Sequence, residues 1–515
     1  MSELAYTPLD EIEKIHSELK KGFYSGKNKP ISYRKYQLLQ LAYLIKDNTE
    51  KFEEALRADL GRPALESRFM EIGPSITDAL KAYKGVDSWA RPEKPGFSIT
   101  FTFMRPIVYK EPKGVVLVIS PFNYPLWLTV GPLAGALAAG CATVIKPSEA
   151  TPAFSSLLAE LVPKYLDSDL VRVVNGAVPE TSKLLDLQWD HILYTGGGRV
   201  GRIVATAAAK HLTPVSLELG GKSPVVIDPN CDLETTARRV LWGKIVNAGQ
   251  TCVAPDYILV PRHFQDKFVD ALKTTYAQFF PENAKPNAEG TYSRIVTPQA
   301  FKRIKKLLDE TEGEIVIGGE TDEATKFIAP TVVKNVKGTD SLMSDEIFGP
   351  LLPIVPVEDL DEAIAFINAR DHPLALYVFS QDPVFKNKLF SRTQSGAAIA
   401  NEVVIHPGAD GLPFGGVGPS GYGMHTGKFT FDMFTHLRSS LDSPSWIDKI
   451  LAFRFPPYTP KGLKATLGLY PSLPARPSGP PPAESAYTNR WARWLLFGLA
   501  FAVAGGLTRK DKFLK

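Results

Sequence analysis

GVVLVISPFNYPLWLTVGPLAGALAAGCATVIK, residues 114–146, is the stretch that decides the fold. GVVLVIS (114–120) is an unbroken apolar run of strand length, the pattern of a strand buried on both faces of a parallel sheet. An apolar helix follows over 126–139, and CATVIK (141–146) reads as the next strand. The alternation continues downstream: helix 152–165, strand 171–176, helix 179–187, strand 191–195, helix 199–210 and strand 215–220. Strands that take turns with helices of 8–14 residues imply right-handed crossovers and a doubly wound parallel sheet. In such sheets ligands bind beyond the carboxyl ends of the strands.

Outward from this core, residues 9–60 read as helices, with Leu38, Leu41, Ala42 and Ile45 at helical spacing. FSITFTFMRPIVYK (97–110) alternates in the strand manner and predicts an extended hairpin leaving the core. A second α/β unit is expected over 223–413, with strands near 224–228, 257–261, 327–334 and 374–379, and helices near 232–247, 263–279, 298–311 and 360–369. Residues 456–482 carry nine prolines and read as a semi-rigid spacer without a folded element.

The length of 515 residues allows two to four domains at ~100–200 residues each. The net charge of +4 is unevenly placed, since residues 490–515 alone carry +5. The body is therefore close to neutral, which excludes the basic excess of a nucleic-acid binder. Three cysteines without CxxC spacing argue against a disulfide framework and against a Cys-rich zinc site, and no metal is expected. The expected compartment is reducing and cytosol-facing. The early acids Glu3, Asp10, Glu11 and Glu13 oppose a transit peptide.

The end of the chain has its own character. Trp494–Thr508 is an uncharged, mostly apolar run with basic residues on both sides. As a helix, residues 494–507 span about 21 Å, short of a hydrocarbon core of about 30 Å. Snorkelling of Arg493 and Arg509, with Trp491 and Trp494 at the headgroup level, suits membrane attachment by spanning or by lying in the interface. The competing reading is a helix docked over the substrate mouth or on a partner subunit.

Four pieces at strand ends invite chemistry. Cys252, in NAGQTCVAP (247–255), is either an accessible thiolate nucleophile or a small buried hydrophobe. Glu218, in LELGGKSP (217–224), interrupts an apolar strand; it is either a general base or a salt-bridged structural carboxylate. Asn123, in SPFNYP (120–125), offers an amide to an oxyanion or simply marks a turn. KPSE (146–149) places Lys146 and Glu149 at a sheet edge, and YTGGGRVG (194–201) opens a helix where glycines admit a pyrophosphate.

Taken in order, PFNYP, KPSE, TGGGRVG, LELGGK, GQTC, EIFGP (346–350) and LPFGG (412–416) resemble the NAD(P)-dependent aldehyde dehydrogenase superfamily over roughly residues 1–445. GQTCVAPDY (249–257), GPSGYGMHTGKFTFDMFTH (418–436) and an apolar C-terminal tail resemble its class 3, which includes fatty aldehyde dehydrogenases. The resemblance implies roles residue by residue. Cys252 matches the nucleophile, Glu218 the base for deacylation, and Asn123, with the Cys252 N–H, the oxyanion donors. Lys146 and Glu149 match positions at the adenosine ribose. Gly196, Gly197, Gly198 and Gly201 match the loop beside the pyrophosphate. Glu346 and Phe348 match residues that hold the nicotinamide ribose and ring. Gly198 departs from relatives that often carry Ser or Thr there, so one phosphate contact is in doubt.

The implied architecture is a doubly wound dinucleotide-binding domain (1–91 and 113–222), a second α/β catalytic domain (223–413) and a small β bridging segment (92–112 and 414–445). The linker (456–489) and the tail (490–515) complete it. The implied activity is oxidation of an apolar, medium- or long-chain aldehyde to the acid through a cysteine thioester, with NAD as cofactor and NADP as the alternative. Competing readings are an aromatic or apocarotenoid-type aldehyde dehydrogenase, a CoA-acylating dehydrogenase, and a membrane-tethered scaffold on an inactive enzyme fold. A homodimer bridged by exchanged strands and a membrane-associated, cytosol-facing location complete the expectation.

Overall fold

The computed structural model describes residues 4–98 and 101–480, so the expected apolar tail lies outside the described residues. The chain divides into two units: Met1–Ser98 with Arg105–Leu441, and Ile99–Met104 with Asp442–Lys515.

The large unit holds two main sheets. The first has six strands in the order Gly421–Tyr422, Val215–Glu218, His191–Thr195, Val115–Ile119, Ala142–Lys146, Val171–Val173. All but Gly421–Tyr422 run parallel. The chain enters at Val115–Ile119, winds outward to Val171–Val173, and returns on the other side at His191–Thr195. The topological switch therefore lies between Val115–Ile119 and His191–Thr195, where a crevice opens past the carboxyl ends. All five residues of Val115–Ile119 are buried, which explains their unbroken apolar run.

The second sheet has seven strands in the order Ala397–Ala400, Ala375–Phe379, Pro224–Ile227, Tyr257–Pro261, Leu351–Val357, Thr331–Lys334, Glu314–Ile317. Only Glu314–Ile317 is antiparallel to its neighbour. The expected strand 327–334 is two strands in different sheets: Phe327–Ile328 pairs with Thr321–Asp322, and Thr331–Lys334, beyond Pro330, joins the seven-stranded sheet.

Two expectations are corrected. The run 97–110 is not a hairpin with itself. Thr102–Met104 is a short 3₁₀ turn, Arg105 is left-handed (φ 48°), and Pro106 follows. The strand that does form, Ile107–Pro112, pairs antiparallel with the distant Thr435–Ser440. The proline-rich spacer does contain a folded element, the helix Pro460–Leu467. Pro460 sits in the first turn, where its missing N–H is harmless, and the Thr459 hydroxyl accepts from the Gly462 amide as a cap. Among the described residues, no helix is long and apolar enough to cross a membrane.

Candidate active site and cofactor cleft

The sequence motifs converge on two cavities. The larger is about 650 Å³, within the range of small-molecule and cofactor sites, and opens at the switch point of the six-stranded sheet. Asn123, Lys146, Glu149, Gly196, Gly197, Glu346 and Phe348 line it. The smaller cavity has largely apolar walls, including Met70, Trp127, Leu128, Leu374 and Phe414. Cys252 and Glu218 line both, so the thiol and the carboxylate stand where the two cavities meet.

Cys252 follows the helix Leu233–Ile245 through a tight turn in which Asn247 (φ 54°) and Ala248 (φ 52°) are left-handed. Such backbone strain persists only when the surroundings hold it. The Gln250 amide donates to the carbonyls of Asn247 and Arg294 (both 3.0 Å) and accepts from the Val296 N–H (2.9 Å). The Thr251 and Tyr124 hydroxyls are 2.8 Å apart. Burial pushes the Cys252 thiol up to about 12, assisted by the nearby carboxylates of Glu346 and Glu218.

Glu218 ends the strand Val215–Glu218 and is 3% exposed. Neither carboxylate oxygen has a hydrogen-bond partner among the described residues, and burial holds the group well above the usual carboxylate range. The structural salt bridge offered as an alternative for this residue is therefore not formed with Lys or Arg; its nearest basic group is the His425 Nε2, 3.9 Å from Oε1.

Asn123 lies on the loop after Val115–Ile119. Its main-chain carbonyl accepts from the Arg62 guanidinium and from the Asn247 Nδ2 (2.8 Å). The backbone is pinned in a bend while the residue lines the large cavity.

Lys146 and Glu149 form an ion pair at 2.8 Å on the rim of that cavity. Gly197 caps the helix Gly198–Ala209, and a side chain at Gly197 would meet no protein atom within 4 Å. At Gly198 only the end of Arg202 comes near. The space in front of this helix N-terminus is left to a ligand, and its unpaired amides and dipole suit a phosphate group. Gly196 and Gly201 answer to packing instead: a Cβ would strike Tyr194 at the first and Leu219 at the second. Gly198 and Gly201 do not line the cavity. Across the cleft, Phe348 is left-handed (φ 47°) and meets Phe122 edge-on, with ring centroids 5.7 Å apart. Glu346 is pushed up to about 8 by burial and by Asp256. The residues present therefore fit a dinucleotide, with an open glycine turn at one end and the half-buried Glu346 carboxylate at the other.

The model of the aldehyde dehydrogenase family matches residues 2–440. The chain belongs to the aldehyde dehydrogenase family. Rat aldehyde dehydrogenase family 3 member B1 is 43% identical over 459 residues, covering 89% of this chain and 97% of that protein. Rat family 3 member A2 is 44% identical over 449 residues, or 87% of this chain and 91% of that protein. The dimeric NADP-preferring aldehyde dehydrogenase of Canis lupus familiaris is 42% identical, over 87% of this chain and 98% of its own. Among solved structures, the substrate-bound Staphylococcus aureus AldH matches with a TM-score of 0.85 and 38% identity, covering 88% of this chain and 99% of that one. This aldehyde dehydrogenase oxidises aldehydes with NAD or NADP as cofactor.

Two parts of the site escaped sequence reading. Arg62, outside every quoted motif, and Asn247, which opens NAGQTCVAP without a role read into it, hold the Asn123 backbone. His425 lies in the stretch used only for its class resemblance, and the buried Gly421–Glu218 pairing that carries it toward the site is long-range.

Proposed function

We propose that this aldehyde dehydrogenase converts medium- or long-chain apolar aldehydes to acids through a thioester on Cys252. The observation that carries the reading is the placement of Cys252 and Glu218 in the shared wall of an apolar cavity and a polar cleft. The apolar cavity takes the aldehyde chain, because burying each methylene contributes ~0.8 kcal/mol and the walls offer few polar partners. Cys252, once its proton has passed to solvent, attacks the carbonyl carbon as the thiolate. The Asn123 amide and the Cys252 N–H receive the oxyanion, each such donor typically worth ~10²–10³ in rate. The dinucleotide, when bound, supplies the hydride acceptor. Lys146 and Glu149 hold its adenosine end, the Gly197 turn its phosphates, and Glu346 and Phe348 its nicotinamide end. Glu218 then takes a proton from the water that attacks the acyl carbon, and the acid leaves.

The Lys146–Glu149 pair sets one cation and one anion at the same rim. Glu149 favours a free ribose 2′-hydroxyl and Lys146 softens the penalty for a 2′-phosphate, which supports NAD as the preferred cofactor with NADP accepted. The basic-flanked apolar run at 494–508 supports attachment to a cytosol-facing membrane, where long aldehydes partition. The strand pair Ile107–Pro112 with Thr435–Ser440 supports a homodimer bridged through this ribbon.

An aldehyde series run with NAD and with NADP tests the substrate reading. The expected result is a kcat/KM that rises with chain length, with acid as the product and no dependence on CoA. A flat or falling series removes the apolar substrate class. Deletion of residues 484–515 tests the tail: the shortened protein is expected in the soluble fraction, and retention on membranes overturns the anchor.

A further inference from the structure

The buried Glu218 poses a problem that its proposed role does not solve. A general base must be ionised, yet this carboxylate has no hydrogen-bond donor and burial favours its protonated form. A buried carboxylate left unpartnered is rare in native proteins, and each one calls for an explanation.

The explanation stands 3.9 Å away. His425 Nε2 faces Glu218 Oε1 across the wall of the apolar cavity, and both side chains line that cavity. The imidazole is itself buried, at 6% exposure. Its position is well defined. The His425 N–H donates to the Phe414 carbonyl (2.7 Å) and the Phe414 N–H to the His425 carbonyl (3.0 Å). The ring meets the Phe414 ring edge-on, with centroids 5.2 Å apart. A few residues earlier, Gly421 pairs in register with Glu218 itself, so both partners hang on one sheet edge. The distance is too long for a hydrogen bond, and closing it takes about 1 Å of side-chain rotation.

We propose that His425 is the positioning residue for Glu218, donating an Nε2–H hydrogen bond to Oε1 whenever the carboxylate ionises. This rests on the assignment of Glu218 as the deacylation base. The other carboxylate oxygen then stays free to take the proton of the attacking water. The hydroxide oxygen bonds to the acyl carbon, the C–S bond breaks, and the electron pair leaves on the Cys252 sulfur. His425 remains neutral throughout; burial lowers it to about 4, so it does not compete for the proton near neutral pH. The other titratable groups around it are Cys252 on the nucleophile loop, Tyr124, and Asp78, which accepts from the Trp127 indole (2.8 Å). His406 packs against the same Phe414 ring, with centroids 5.9 Å apart.

The test compares full-length wild type, His425→Phe, His425→Gln and Glu218→Gln by pre-steady-state NADH formation and by the pH profile of steady-state kcat. His425→Phe is expected to keep the burst amplitude, which reports an intact fold and acylation, while kcat falls ten- to a hundredfold. Its acid limb is expected to move to higher pH, because a carboxylate without its donor binds its proton more tightly. His425→Gln, which retains an N–H, is expected to recover most of both. An unmoved acid limb, or equal loss of burst and steady state in both His425 variants, overturns the proposal. Glu218→Gln reads the underlying assignment separately: if it turns over without stalling after the burst, the base is elsewhere, whatever the His425 variants do.

Discussion

The guanidinium of Arg62, only 1% exposed, donates to the main-chain carbonyl of Asn123 and so ties the proposed oxyanion loop to the helical layer. The same guanidinium donates to Asn247 Oδ1 (2.7 Å) and pairs with the fully buried Glu71. Glu71 in turn accepts from the main-chain N–H groups of Leu126 (2.8 Å) and Trp127 (3.2 Å), just beyond Asn123.

Removing Arg62 leaves the Glu71 carboxylate buried and without its cation. Arg62→Met is expected to cost about 3–5 kcal/mol of stability, read as a fall in Tm or in the denaturant midpoint. In the fraction that folds, kcat should fall further than KM changes, because Asn123 loses its anchor. Arg62→Lys is not expected to restore either, since one ammonium cannot replace the fork that reaches three acceptors. A lysine variant with wild-type Tm and kcat contradicts this account.

The Cys252 thiol is held up to about 12 against an ordinary value near 9, by burial first and the Glu346 carboxylate next. The raised value means less thiolate at any given pH. Alkylation of the cofactor-free enzyme by iodoacetamide should therefore be slow at pH 7–8 and accelerate only in strongly alkaline buffer. Glu346→Gln removes a negative neighbour, so its rate–pH curve should shift to lower pH. Identical curves for the two proteins would falsify the electrostatic link between the nucleophile and the cofactor-end carboxylate.

Gly220 lies against Glu346, and a Cβ at position 220 would overlap both of its carboxylate oxygens. The obstructed atoms are the far end of a flexible side chain, so the fold should tolerate Gly220→Ala with little change in Tm. Glu346 must swing aside instead. The expected kinetic result is a several-fold higher KM for NAD with a smaller effect on the KM for aldehyde. Equal changes in both would place Glu346 outside the cofactor end.

The fold was legible wherever burial on both faces forced continuous apolar runs, as in Val115–Ile119 and Ala142–Lys146. Leu351–Val357 was not, because Pro353 and Pro356 argue against a central strand, yet it pairs in parallel on both sides. Burial of its other side chains outweighs the donors those prolines lack. Cys252, Glu218 and Asn123 stood out through their motifs, and the structure brings all three to the wall of one cleft: Asn123 past a strand end, Glu218 at one, and Cys252 after a helix and a tight turn. Arg62 and His425 did not. Arg62 acts on a residue 61 positions away. His425 gains its meaning from a sheet-edge pairing between Gly421 and Glu218 that local periodicity does not carry.

The central claim is that an aldehyde passes through a covalent acyl stage on Cys252 which Glu218 resolves. Mass spectrometry of peptides from Glu218→Gln, quenched in acid after mixing with a long-chain aldehyde and NAD, measures this directly. The account predicts a Cys252 peptide heavier by one acyl group in near-stoichiometric amount, and no adduct on Cys141 or Cys231. An unmodified Cys252 peptide from a variant that has released one equivalent of NADH contradicts it.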